Sequence, residues 1–105
     1  MIKVISGSRC NTETAKTIER EWWGEWVSQS ECWVNVDLME TPKGKRFFYV
    51  DRSGIPHEEW NPGKSTSEIL NADDEAIKAF SLLSIGDWDD YDYRDARGVF
   101  AYRGT

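Results

Sequence analysis

Residues 87–95, DWDDYDYRD, gather five aspartates and one arginine, with Trp88, Tyr91 and Tyr93 set between them. Carboxylates at this density could ligate a hard cation or meet a cationic surface. A calcium loop of the EF-hand type needs oxygen ligands at positions 1, 3 and 5, Gly at 6 and Glu at 12. Counted from Asp87, the fifth residue is Tyr91 and the sixth is Asp92, so that loop fails. Nucleophilic chemistry has little to draw on. His57 is the sole histidine and lies in PHEEW beside Glu58 and Glu59; the thiols are Cys10 and Cys32. Cys32 falls on an alternating strand face and reads as core. Cys10 precedes an expected helix whose dipole would favour a thiolate, although a small buried cysteine has the same signature. GSRCNT, residues 7–12, lacks both the spacing and the lysine of a phosphate loop. No catalytic residue, cofactor or metal is assigned, and the chain is expected not to be an enzyme.

Binding asks less of the sequence. The net charge is −6, and residues 1–48 balance seven acids with seven bases, so the whole excess lies in residues 49–105. Phosphate repels such a surface, which argues against direct contact with nucleic acid or anionic membrane. A basic protein is its complement. Between Glu68 and Asp95 nine acids face two bases. Interleaved rings there would add buried area and stack on guanidinium groups. The expected partner-binding residues are Asp87, Trp88, Asp89, Asp90, Tyr91, Asp92, Tyr93 and Asp95, with Glu58, Glu59 and Trp60 as a second contact. The competing reading packs Trp88 and Tyr91 back on a helix and leaves the aspartates merely solvated, as suits a soluble domain of ordinary charge.

The elements that would position these groups follow from periodicity. One domain spans residues 1–105. IKVIS, residues 2–6, reads as a strand broken by Gly7 and Ser8. NTETAKTIEREWWGEW reads as a helix with a stripe at Ala15, Ile18, Trp22 and Trp26. CWVNVDL and RFFYVD alternate about the turn ETPKGK and form a hairpin. Residues 53–67 form a long irregular loop, and EIL at 68–70 could add an edge strand. NADDEAIKAFSLLSIG reads as a second helix, capped by Asn71, with Ala76, Ile77, Phe80 and Leu83 inward. The acidic–aromatic segment, 87–97, leads to a last strand, GVFAY at 98–102. The fold class is therefore α+β: two layers, an antiparallel sheet of about four strands packed by two helices, in the order β-α-β-β-(loop)-α-β. Trp22, Trp23 and Trp26 crowd one short segment and suggest a homodimer patch. No apolar run is long enough to span a membrane or act as a signal peptide, so a cytoplasmic protein with reduced thiols is expected.

TETA (Thr12 to Ala15), LMETPKGKRFFY (Leu38 to Tyr49) and ADDEA (Ala72 to Ala76) carry a resemblance. The chain resembles a group of small proteins from phages and other bacterial mobile elements. That group shares a Thr-Glu-Thr-Ala helix start, a Lys-Gly hairpin turn running into aromatics, and an acidic start to a later helix. The tryptophans at 22, 23 and 26 and everything after Gly86 depart from the pattern. What the resemblance implies is a phage setting, in which anti-defence inhibitors such as anti-CRISPR proteins recur. Together with the charge map, it leads to the expectation of a non-enzymatic inhibitor in the host bacterial cytoplasm that occludes a basic groove. The alternative is an immunity or antitoxin protein neutralising a basic nuclease.

Overall fold

In the computed structural model the described residues are 1–27, 30–53, 65–85 and 91–100, with side chains described for 1–23, 33–52, 67–84 and 96–100. They form β1 (Ile2–Ile5), β2 (Ser8–Asn11), β3 (Lys16–Val27), β4 (Ser30–Glu40), β5 (Arg46–Ser53), β6 (Ser65–Asn71), α1 (Asp74–Ile85) and α2 (Tyr91–Phe100). The class is α+β: β3-β4-β5-β6 is a four-stranded antiparallel sheet, β1-β2 is a separate two-stranded ribbon, and two helices complete the described elements.

The central hairpin forms as its alternation predicts. Gly44 takes the positive φ the turn demands, and Thr41 closes that turn by accepting from the Lys45 and Gly44 amides. EIL lies within a full seven-residue strand paired to β5 throughout.

Two elements exchange type. Residues 16–27, expected as helix, form the longest strand, and 91–100, expected to run from acidic segment into strand, form a helix. In the first case Thr17, Ile18, Trp22, Trp23, Trp26 and Val27 are all β-branched or aromatic, and a sheet edge suits them better than a helix. TETA is a turn: Asn11 Oδ1 accepts from the Glu13 amide at 3.0 Å and Asn11 O from the Ala15 amide at 3.0 Å. The Asx geometry that caps helices here reverses a chain between strands. In the second case Ala96 and Phe100 are four residues apart and both buried, a helical stripe that wins over the strand propensity of GVFAY. The N-terminal break is itself a hairpin. Ser6 at φ 50° and Gly7 at φ 78° form a two-residue turn of the primed kind, and Ser8–Asn11 returns as β2.

The sheet has two unlike faces. One carries Trp23, Val34, Val36, Phe48 and Val50 against Ala76, Ala79, Phe80 and Leu83 of α1 and Ala96 and Phe100 of α2. The Phe48 ring meets Phe80 at 5.2 Å and Phe100 at 5.3 Å between centroids. Ile77, expected inward, is 47% exposed. The helix cap is Asp73 rather than Asn71: its carboxylate accepts from the Ala76 amide at 2.9 Å, while Asn71 ends β6 and accepts from Lys45. Arg52, 4% exposed, is held at 2.6 Å by Glu68 and at 2.7 Å by the carbonyl of Phe100, which ties the end of α2 to the sheet.

The ribbon covers part of the other face, where Ile5 and Cys10 pack with Met39, Phe47 and Ile69. Along β3, pairing to β4 slips between Thr17 and Glu19, so Ile18 is an extra residue in that strand. No described helix is long and apolar enough to cross a membrane.

Candidate functional site

Beyond the ribbon the second face is bare of any described element, and alternation decides what it shows. Cross-strand pairing aligns Arg20, Asp37, Tyr49 and Ile69 in one row and Trp22, Asn35, Asp51 and Ser67 in the next; Trp33 follows on β4. Neighbours in a row stand about 5 Å apart. Arg20, Trp22, Trp33, Asn35, Asp37, Tyr49 and Asp51 line an open depression of about 460 Å³. Trp22 is 56% exposed, a large ring presented to solvent.

Asp37 organises the first row. It is buried, and the Arg20 guanidinium grips both its oxygens, Nε at 2.6 Å and the second nitrogen at 3.2 Å. The hydrogen bond and charge of Asp37 raise the Arg20 pKa above its ordinary value, so this cation never titrates in the working range. Asn35 Nδ2 donates to the same carboxylate at 3.0 Å. A carboxylate only accepts, so the amide must turn its NH2 end toward Asp37 and its oxygen elsewhere. In the second row Ser67 donates to Asp51.

Tyr49 stands between both carboxylates. The Ser67 hydroxyl draws its pKa down, but burial and the Asp51 and Asp37 carboxylates outweigh that and hold the phenol above its ordinary value of 10. Because the folded form keeps the proton longer, its contribution to stability is complete below pH 10 and lost as pH rises through the folded value. Tyrosinate absorbance should therefore show a late-titrating phenol that is lost in Tyr49→Phe. Asp51→Asn should move it down and Ser67→Ala up; a phenol indifferent to both substitutions would contradict this electrostatic account.

The expected catalytic alternatives fare differently. Cys10 lies within β2, not before a helix, and is completely buried, so neither a dipole nor solvent access activates it. Cys32 lies on β4 as the alternation requires. His57 falls outside the described residues, and among those described no three His, Cys, Asp or Glu side chains converge as a metal site.

Asp87, Trp88, Asp89, Asp90, Glu58, Glu59 and Trp60 lie outside the described residues. Tyr91, Asp92, Tyr93 and Asp95 are carried on the backbone of α2. Trp22 and Trp23 face opposite sides: Trp23 is buried in the helix-side core under the Arg97 guanidinium, 5.4 Å from its ring centre, and is no part of an exposed patch. The sequence reading missed Arg20 and Trp22 as partners of Asn35, Asp37 and Asp51. A strand reading of 16–27 would have paired them at once.

No family model matches the chain, and neither a curated protein nor a solved structure matches it.

Proposed function

We propose that the protein is a small non-enzymatic inhibitor of the anti-CRISPR or wider anti-defence kind. It binds a basic, nucleic-acid-handling protein in the bacterial cytoplasm and occludes its phosphate-tracking groove. The observation that carries the reading is the sheet face that no described element covers, where exposed Trp22 stands in one row with Asn35 and Asp51 in a chain of net charge −6. Grooves that follow a nucleic-acid backbone are lined by arginine and lysine, and they meet such a face with charge, stacking and steered association.

The resemblance to phage-type proteins supports the setting. In this reading Asp87, Asp89, Asp90, Asp92 and Asp95 take the role of phosphates toward the partner, and Glu58, Glu59 and Trp60 add a further contact. A stoichiometric amount of the protein is expected to release labelled target DNA from a CRISPR effector complex in a mobility-shift assay. The effect should weaken as salt rises. DNA binding that persists across effectors of every type, and across basic nucleases, would sink the proposal.

A further inference from the structure

We infer that Trp22, Asn35 and Asp51 form a receptor for the guanidinium of an arginine side chain; this rests on the docking function proposed above and names the chemistry of its central contact. The three residues occupy one cross-strand row on β3, β4 and β5. Two strand spacings of about 4.8 Å separate the outer pair, a gap that a planar cation can bridge with its face on the ring and its edge on the carboxylate.

The row is rich in acceptors. The Asn35 amide is oriented by Asp37, which takes one of its N–H groups, and its oxygen accepts from no described residue. Asp51 accepts one hydrogen bond from Ser67, whereas a carboxylate has about four acceptor positions. The exposed indole of Trp22 presents a negative π-face. Ring face, amide oxygen and carboxylate together ask for a flat donor-rich cation. Anions are repelled.

The same face already holds one guanidinium: Arg20, forked on the Asp37 oxygens in the neighbouring row. Arginine fits better than lysine because its planar fork can stack and donate at once, where an ammonium is a compact hydrated charge.

The test is titration of the protein with a tri-arginine peptide, followed through the indole N–H resonances, with the Trp22 signal assigned by Trp22→Phe. The expected result is a shift centred on Trp22, with affinity reduced about tenfold in Asp51→Asn and in Trp22→Ala. Tri-lysine should bind several-fold more weakly. Trp22→Phe keeps a stacking ring and Asp51→Asn keeps the shape, so retained near-ultraviolet dichroism separates loss of the site from loss of the fold. Equal binding of tri-lysine, a shift indifferent to both substitutions, or a response to a neutral disaccharide in place of tri-arginine would overturn the assignment. The two levels part cleanly. If effector capture survives in Trp22→Ala and Asp51→Asn, the receptor assignment falls and the inhibitor reading stands. If tri-arginine binds at Trp22 and no basic nucleic-acid-handling protein is captured, the inhibitor reading falls and the receptor stands.

Discussion

Replacement of Glu68 by alanine is expected to lower the free energy of unfolding by about 3 kcal/mol, the lower end of the range for breaking a buried ion pair from one side. The loss arises on the arginine. Arg52 is 4% exposed and would be left with the Phe100 carbonyl as its one partner among the described residues, while the Glu68 side chain is 43% exposed and bears little desolvation of its own. The asymmetry yields a second, milder variant. Arg52→Met fills the volume with an unbranched apolar chain, lets Glu68 rehydrate, and leaves one orphaned carbonyl at the end of α2, which costs about 1–3 kcal/mol. Urea denaturation of both variants measures the order. Arg52→Met more damaging than Glu68→Ala would mean that packing, not the stranded charge, dominates at this position.

Phe48→Ala is expected to cost about 3–5 kcal/mol. Phe48 is fully buried on the central strand β5 and touches Phe80 of α1 and Phe100 of α2, so one ring joins the sheet to both helices. Against a total stability of about 5–15 kcal/mol for a domain, this single truncation removes a large share. Since each kcal/mol moves the midpoint of a domain this size by about 4–8 °C, thermal melting should show a fall of well over 10 °C, while Phe48→Leu gives a smaller one. A drop of only a few degrees would mean that the helices are held chiefly by other contacts.

The hairpin of β4 and β5 was legible because its two faces differ in kind: Val34, Val36 and Val50 are apolar, and Asn35, Asp37 and Asp51 are not. That alternation already divided the sheet into a core side and a side needing another explanation. α1 was legible through its period, with Ala76, Phe80 and Leu83 inward.

The segment Lys16–Val27 misled because Ile18, Trp22 and Trp26 at spacings of four satisfy both a helical stripe and one face of a strand. Its glutamates, lysine and arginine have good helix propensity. What decides between the readings is long-range, the ladder to β4, and a single-sequence window does not contain it. α2 was hidden in the opposite sense. Acid density and Gly98 obscure a stripe whose inward residues, Ala96 and Phe100, gain their burial from Trp23, Phe48 and the first helix. The candidate site suffered most, since Arg20 and Trp22, two of the seven residues that line it, come from the misread strand.

The extra residue at Ile18 has a consequence for what the molecule avoids becoming. β3 lies at the margin of the sheet, paired on one side with β4, and a twelve-residue margin is a standing invitation to polymerise by strand addition. A newcomer would have to follow a hydrogen-bonding rhythm that skips a beat between Thr17 and Glu19, and then pass the charges of Glu19, Arg20 and Glu21. The kink spoils the template where it is longest. A protein that displays the Trp22 indole to solvent thereby carries an obstacle to fibre growth along this border.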